Sequence, residues 1–160
     1  SWFKKPGGVR ERIFELVRRQ FGLKPKVFIS VRSSNVVRYD AHHNETSFVQ
    51  LHSDGKSRLT FNVLLSDLLD FAGGGTRFPH LQTTLTPPTG TMVTYYGGAF
   101  HSSNRVSGGR RYIWQGFIDV ATEASEKLHV WLIKRALAEN PRLPDAYTDL
   151  ARSLAKLGRA

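Results

Sequence analysis

A chain of 160 residues, 40% of them hydrophobic, holds enough apolar material for one core, so one main globular domain is expected. The absence of cysteine excludes disulfides and thiolate metal sites, and no stretch is long and apolar enough to cross a bilayer. The net charge of +10 is unevenly spread: residues 1–26 carry eight basic against two acidic groups, residues 27–126 eight against eight, and residues 127–160 seven against three. The excess lies on the flanks, where a solvated helix face accounts for it better than a polyanion-binding surface. The opening Ser1-Trp2-Phe3-Lys4-Lys5-Pro6 has no initiator Met and no signal-peptide apolar region, so the chain reads as excised from something longer, and its compartment is not legible.

The first element is a helix over about 9–21, where Ile13, Phe14, Val17 and Phe21 recur at helical spacing among Arg and Glu. Gly22 stops it. From Val27 to Val120 the texture changes to short β-rich runs (VFISV, NVVRY, SFVQL, RLTFNVLL, TMVTYY and RYIWQGFIDV) broken by Gly, Pro, Asn and Asp. Strands this dense, with no helical pattern between them, predict an antiparallel sandwich or jelly roll over about 27–120. Within it, the glycines of Phe71-Ala72-Gly73-Gly74-Gly75-Thr76-Arg77-Phe78-Pro79 are not a phosphate loop, since no Lys-Ser/Thr follows and no helix begins. A tight hairpin or a bulge is the expectation there. Thr122 caps a second helix running to about Ala138, residues 140–144 break it, and a third helix covers about 145–157.

Chemistry concentrates in His52-Ser53-Asp54, His101 and Arg111. Residues two apart on a strand project to one side, so His52 and Asp54 can grip one ion from a strand end and its turn. His101 follows Asp54 by 47 residues, far enough for the chain to leave and return on a neighbouring strand. Two imidazoles and a carboxylate take one face of an octahedral Fe(II) and leave three positions open, as an oxygen-activating enzyme with a chelating co-substrate requires. His43-Asn44-Glu45 has the same form, but it lies in a polar, turn-like stretch, whereas Phe48 to Leu51 form a strand approach to His52. His42, His43, His80 and His129 carry no assigned role, and Trp114 is expected in the core.

Val36-Val37-Arg38-Tyr39-Asp40, His52-x-Asp54, Leu59-Thr60-Phe61-Asn62-Val63-Leu64-Leu65, GGGTRFP, the PPTG turn at 87–90, His101 and Arg111-Tyr112-Ile113 occur in one order and spacing. Together they resemble the catalytic domain of the 2-oxoglutarate- and Fe(II)-dependent prolyl 4-hydroxylases and procollagen lysyl hydroxylases, over roughly residues 27–120. The resemblance implies a double-stranded β-helix, with an N-terminal helix and a C-terminal helical hairpin on its flanks. It implies His52, Asp54 and His101 as iron ligands and Arg111 as the partner of the distal carboxylate of 2-oxoglutarate, which a planar guanidinium binds through two hydrogen bonds. Strand parity alone leaves Arg110 as the alternative, while the family motif aligns Arg111. Tyr39, Thr60 and Asn62 are expected to line the co-substrate pocket. O2 as the oxidant, ascorbate as the reductant that maintains the iron, and a peptidyl proline or lysine as substrate also follow from the resemblance.

Departures concern the substrate side. Ser66 stands where many relatives have Asn, Thr94-Tyr95-Tyr96-Gly97-Gly98 replaces a more apolar strand end, and the turn at 55–58 is longer than in the lysyl hydroxylases. Two other readings remain. One is an AlkB-type nucleic-acid demethylase, whose arginine pair lies farther from the distal histidine than Arg105 and Arg111 do here; the other is a metal-free jelly-roll binding module. The sequence thus divides into residues 1–121, an oxygenase domain, and residues 122–160, a helical hairpin. Ala136 to Pro141, Pro144 to Ala151 and Leu157-Gly158-Arg159 resemble a tetratricopeptide junction, which would offer a protein-binding platform.

Overall fold

The computed structural model describes residues 7–55, 57–139, 141–142 and 144–158. Lys56 of the 55–58 turn, Asn140 and Leu143 of the helix break, and residues 1–6 and 159–160 lie outside that set. Two compact units are present: Ser30–Asp119 forms one, and Ser1–Ile29 with Val120–Ala160 forms the other.

The helical unit holds α1 (Val9–Phe21), α2 (Glu123–Glu139) and α3 (Pro144–Leu157). On α1 the buried positions are Ile13 and Val17, four apart on one face, and Gly22 closes the helix in the left-handed conformation at φ 60°. Thr122 caps α2 reciprocally with Ser125: each backbone N–H is bonded by the other's hydroxyl oxygen, at 2.9 and 3.1 Å. A Lys156–Glu126 ion pair of 2.8 Å and a 3.2 Å Ser153–His129 hydrogen bond join α3 to α2. Among the described residues, no helix is long and apolar enough to cross a membrane.

The β unit is a jelly roll of two sheets. β1 (Phe28–Asp40), β9 (Val106–Ala121), β3 (Leu59–Leu64) and β7 (Met92–Tyr96) follow one another in the larger sheet, with β4 (Phe71–Gly73) paired to β9. The smaller sheet runs β2 (Val49–His52), β8 (His101–Ser103), β5 (Thr76–Phe78), β6 (Thr83–Leu85). The two long β-prone runs at 28–40 join into one strand. The glycine stretch does not make a hairpin: β4 belongs to the larger sheet and β5 to the smaller, so Gly73, Gly74 and Gly75 carry the chain between sheets. All three have positive φ, between 74° and 93°, and the ladder bulges between Ala72 and Gly73.

Strand parity sorts the side chains of the larger sheet. Directly paired residues share a face, so Thr60 lies in one row with Tyr95 and Phe117, and Asn62 with Val93 and Gln115. On the opposite face Phe61 is fully buried and meets Gly116, where any Cβ would enter its ring. Further along the first face, Tyr39, Leu64, Val106 and Ile113 form the apolar cluster.

Asp40, at the end of β1, is sealed from solvent, and its carboxylate accepts from Arg110 Nε at 2.8 Å and from the His42 backbone N–H at 3.0 Å. The Arg110 guanidinium, and then the His42 N–H, hold this carboxyl below the ordinary 3.8. A depressed folded-state value means that the pair stabilises the fold above that pH and that the contribution fades as pH falls through the folded value. Asp40→Asn is therefore expected to lower the melting temperature at pH 7, with the deficit shrinking as both proteins are taken below pH ~3.8. Equal deficits at pH 7 and at pH ~3 would show that the charge of Asp40 is immaterial.

Candidate metal centre and anion clamp

His52 ends β2 and is the direct cross-strand partner of His101, the first residue of β8. That register sets the two rings 4.3 Å apart between centroids. Asp54 follows in a turn fixed from both sides: its N–H donates to Gly97 O at 2.7 Å, and its own carbonyl accepts from Ser57 N–H at 2.8 Å. Gly97 has to be glycine, because a Cβ there would run into the Ser57 carbonyl. Gly97 thus serves the His52-x-Asp54 motif by letting its turn close.

The ligand atoms of His52, Asp54 and His101 all lie within 4.8 Å of one another. Both imidazoles are oriented alike, with Nδ1 on a carbonyl two residues back: His52 on Gln50 O at 2.8 Å, His101 on Ala99 O at 2.9 Å. A carbonyl accepts only, so each Nδ1 carries the proton and each Nε2 presents a lone pair. Both Nε2 atoms lie 3.6 Å from an Asp54 carboxylate oxygen, too far for a hydrogen bond. Atoms each bound about 2.1 Å from one ion sit roughly 3–4 Å apart, so the spacing and the donor set fit a divalent metal. Burial holds the His101 imidazole below its usual value, in the neutral form a metal requires. Thr60 steadies the carboxylate by donating to Asp54 Oδ2 at 2.7 Å.

Arg111 is 3% exposed, whereas Arg110 turns outward to Asp40. Among the described residues no carboxylate lies within ion-pair distance of Arg111. Its neighbours are the Ser103 hydroxyl at 3.4 Å and the Tyr39 ring, 5.2 Å below the guanidinium. Burial lowers its affinity for the proton, yet a guanidinium stays charged at any working pH. A cavity of about 160 Å3, lined by Tyr39, Asn62, Thr76 and Ser103 as well as the triad, lies between the sheets. It is smaller than the roughly 300–1,000 Å3 of drug-sized pockets and suits a small metabolite.

Of the residues singled out from sequence, Tyr39 lies under Arg111, Thr60 bonds Asp54, and Asn62 donates to the Tyr95 hydroxyl at 3.2 Å. Tyr95, Thr76, Ser103 and Gln115 escaped the sequence reading. Ser103 was findable, because it stands two residues after His101 and shares its face. Tyr95 was not, since parity between Tyr95 and Tyr96 depends on the exact strand register. Its hydroxyl lies 3.1 Å from His101 Nε2, and burial, then the charge of Asp54, push its pKa well above 10, so it stays protonated.

No family model matches the chain. Over 74 residues, 45% of its length, it is 31% identical to a PKHD-type hydroxylase of Synechococcus sp. (strain CC9902), and that match covers 33% of the relative. The viral collagen prolyl hydroxylase of Paramecium bursaria Chlorella virus-1 superposes with a TM-score of 0.53 at 20% identity, over 74% of this chain and 76% of that one. An oxidoreductase of the 2OG-Fe(II) oxygenase family from Burkholderia pseudomallei gives a TM-score of 0.51 at 20% identity, over 68% and 57% of the two chains. This chain therefore has the fold of the 2-oxoglutarate–Fe(II) oxygenases, prolyl hydroxylases among them, and carries a His-Asp-His triad within it.

Proposed function

We propose that the chain is a 2-oxoglutarate- and Fe(II)-dependent hydroxylase acting on a peptidyl side chain, with His52, Asp54 and His101 as the iron ligands. The observation that carries this reading is a facial donor set on a small cavity whose wall includes Tyr39 and Ser103, the two side chains that also touch the buried Arg111 guanidinium, which has no carboxylate within ion-pair distance among the described residues. Fe(II), with 2-oxoglutarate and O2, supplies the oxidation: the co-substrate is split to succinate and CO2, one oxygen atom enters the succinate and the other enters a substrate C–H bond. Ascorbate as the reductant that maintains the iron belongs to the same proposal.

The protein's contribution is positional. Arg111, assisted by Tyr39 and Ser103, binds the distal carboxylate and thereby sets the other end of the diacid at the triad. Thr60 and the Gly97 turn hold Asp54, and the Gln50 and Ala99 carbonyls hold the imidazoles, so the three side chains would present their donor atoms to one metal ion.

Substrate class follows from charge. A second cavity of about 390 Å3 lies beyond Asp54 and Phe117 and is bordered by Arg32, Ser33, Ser53 and Ser57. Among the described lining residues the one carboxylate is Asp54, the proposed metal ligand, so none of them is free to receive a lysyl ammonium. Arg32 is already neutralised by Asp119 at 2.6 Å, and the ring of Phe117 favours an uncharged ring such as that of a peptidyl proline. Electroneutrality of residues 27–126 argues against an oligonucleotide, whose phosphates need basic groups around the site.

Succinate release with Fe(II) and 2-oxoglutarate across prolyl peptides, lysyl peptides and methylated oligonucleotides tests this reading. Prolyl peptides are expected to stimulate release and His101→Ala to bring it to background; stimulation by oligonucleotides alone would reverse the assignment. Arg111→Ala is expected to raise the KM for 2-oxoglutarate roughly 10–100-fold, the worth of a charged hydrogen-bonded pair. Gly74 reports on the same clamp from the backbone, since at φ +75° a Cβ would stand 3.1 Å from Arg111 Cδ. Gly74→Ala should cost about 1–2 kcal/mol of stability and weaken 2-oxoglutarate while sparing metal binding, and unchanged KM and melting temperature would refute the packing account.

A further inference from the structure

The Tyr95 ring is clamped edge-on by Phe78, at 5.0 Å between centroids, and lies 4.7 Å from the His101 ring. Its hydroxyl oxygen accepts from Asn62 Nδ2 at 3.2 Å, so its single proton goes to His101 Nε2 at 3.1 Å. That nitrogen is the one a metal would bind, because Nδ1 is committed to Ala99 O. A metal and the Tyr95 proton therefore compete for one lone pair. Once the metal holds it, the hydroxyl proton has lost its acceptor in a buried position, which costs free energy unless another acceptor arrives. Asn62 faces the hydroxyl with its N–H, and Asp54, which already accepts from Thr60 at Oδ2, would be engaged by the metal as well. The polar cluster is also incomplete without a ligand: Asn62 Oδ1 is buried with no hydrogen-bond partner among the described residues, in a residue 7% exposed that lines the cavity.

We propose that Tyr95 is a two-position donor, capping His101 Nε2 in the metal-free protein and turning, on metal binding, to a carboxylate oxygen of the metal-bound α-keto acid. It then anchors the chelating end of the co-substrate, opposite the Arg111 clamp. No covalent step is involved, and only a hydrogen bond changes acceptor. This role rests on the triad being a metal centre that accepts 2-oxoglutarate.

The proposal makes the two ligands respond oppositely to one oxygen atom. Calorimetry with Mn2+ alone, then with 2-oxoglutarate on the Mn2+-loaded protein, is run on the parent and on Tyr95→Phe. The variant is expected to bind Mn2+ as tightly as the parent or several-fold more tightly, and 2-oxoglutarate about tenfold more weakly. A merely structural tyrosine would weaken both alike, and that result, or 2-oxoglutarate binding that is not weakened, overturns the assignment. Should the variant fail to fold, ultraviolet difference spectra of the parent decide: Mn2+ alone must perturb a tyrosine band, and no perturbation overturns the proposal. A parent that binds no Mn2+ removes the underlying metal-centre reading itself and this role with it, so the two failures are distinct.

Discussion

A guanidinium buried to 3% exposure with no carboxylate beside it among the described residues is the constraint around which the β unit is organised. Removing such a charge from water without a counter-ion costs several kcal/mol, and a fold optimised for stability alone would place an apolar residue at 111. The neighbouring Arg110 shows the ordinary solution, an exposed guanidinium paired with the buried Asp40 carboxylate. Arg111 instead has a hydroxyl and an aromatic face beside it, and under the proposed function an anion from outside completes the arrangement. The glycines at 73–75 serve the same end: the chain passes between sheets close to the arginine side chain, and at Gly74 even a methyl group would press on Cδ.

At the other end of the cavity the metal donors arise from register. His52 and His101 oppose each other across β2 and β8, and each ring is turned by a carbonyl two residues earlier in its own chain. Backbone thereby sets the direction in which both lone pairs point. Asp54 is added by a turn that exists because Gly97 lets it close. The smaller sheet thus supplies both imidazoles and Ser103, while the larger supplies Thr60, Asn62, Tyr95, Tyr39 and Arg111. A site built from both sheets loses its geometry if either slips by one residue, since a slip sends every side chain to the other face.

Much of this was legible in the letters. The amphipathic helix at 9–21, the β-rich middle, the Thr122 cap and the His-x-Asp…His pattern each follow from local rules, and the order of motifs carried the oxygenase resemblance. What escaped depended on long-range pairing. The three-residue strands at 71–73, 76–78, 83–85 and 101–103 are too short for a periodic signal, so the glycine stretch reads as a hairpin or a bulge; the bulge is present at Ala72–Gly73, while the crossing between sheets is not legible. Strand parity alone leaves Arg110 and Arg111 open, because a one-residue choice of face is set by the ladder to β3 and not by composition; the order of motifs points to Arg111, and it is the buried one. Tyr95 was hidden by Tyr96 for the same reason, and its place beside His101 requires both sheets to be assembled.

Sequence likeness extends over less than half the chain, and structural likeness speaks to fold, so the chemistry rests on the geometry of this site. A crystal structure of the protein with Mn2+ and 2-oxoglutarate tests that geometry most directly. The account predicts one ion bound by His52 Nε2, Asp54 and His101 Nε2, with the keto acid chelating it and the distal carboxylate on Arg111. An ion bound elsewhere, or a diacid whose far carboxylate leaves Arg111 unpaired, would contradict it.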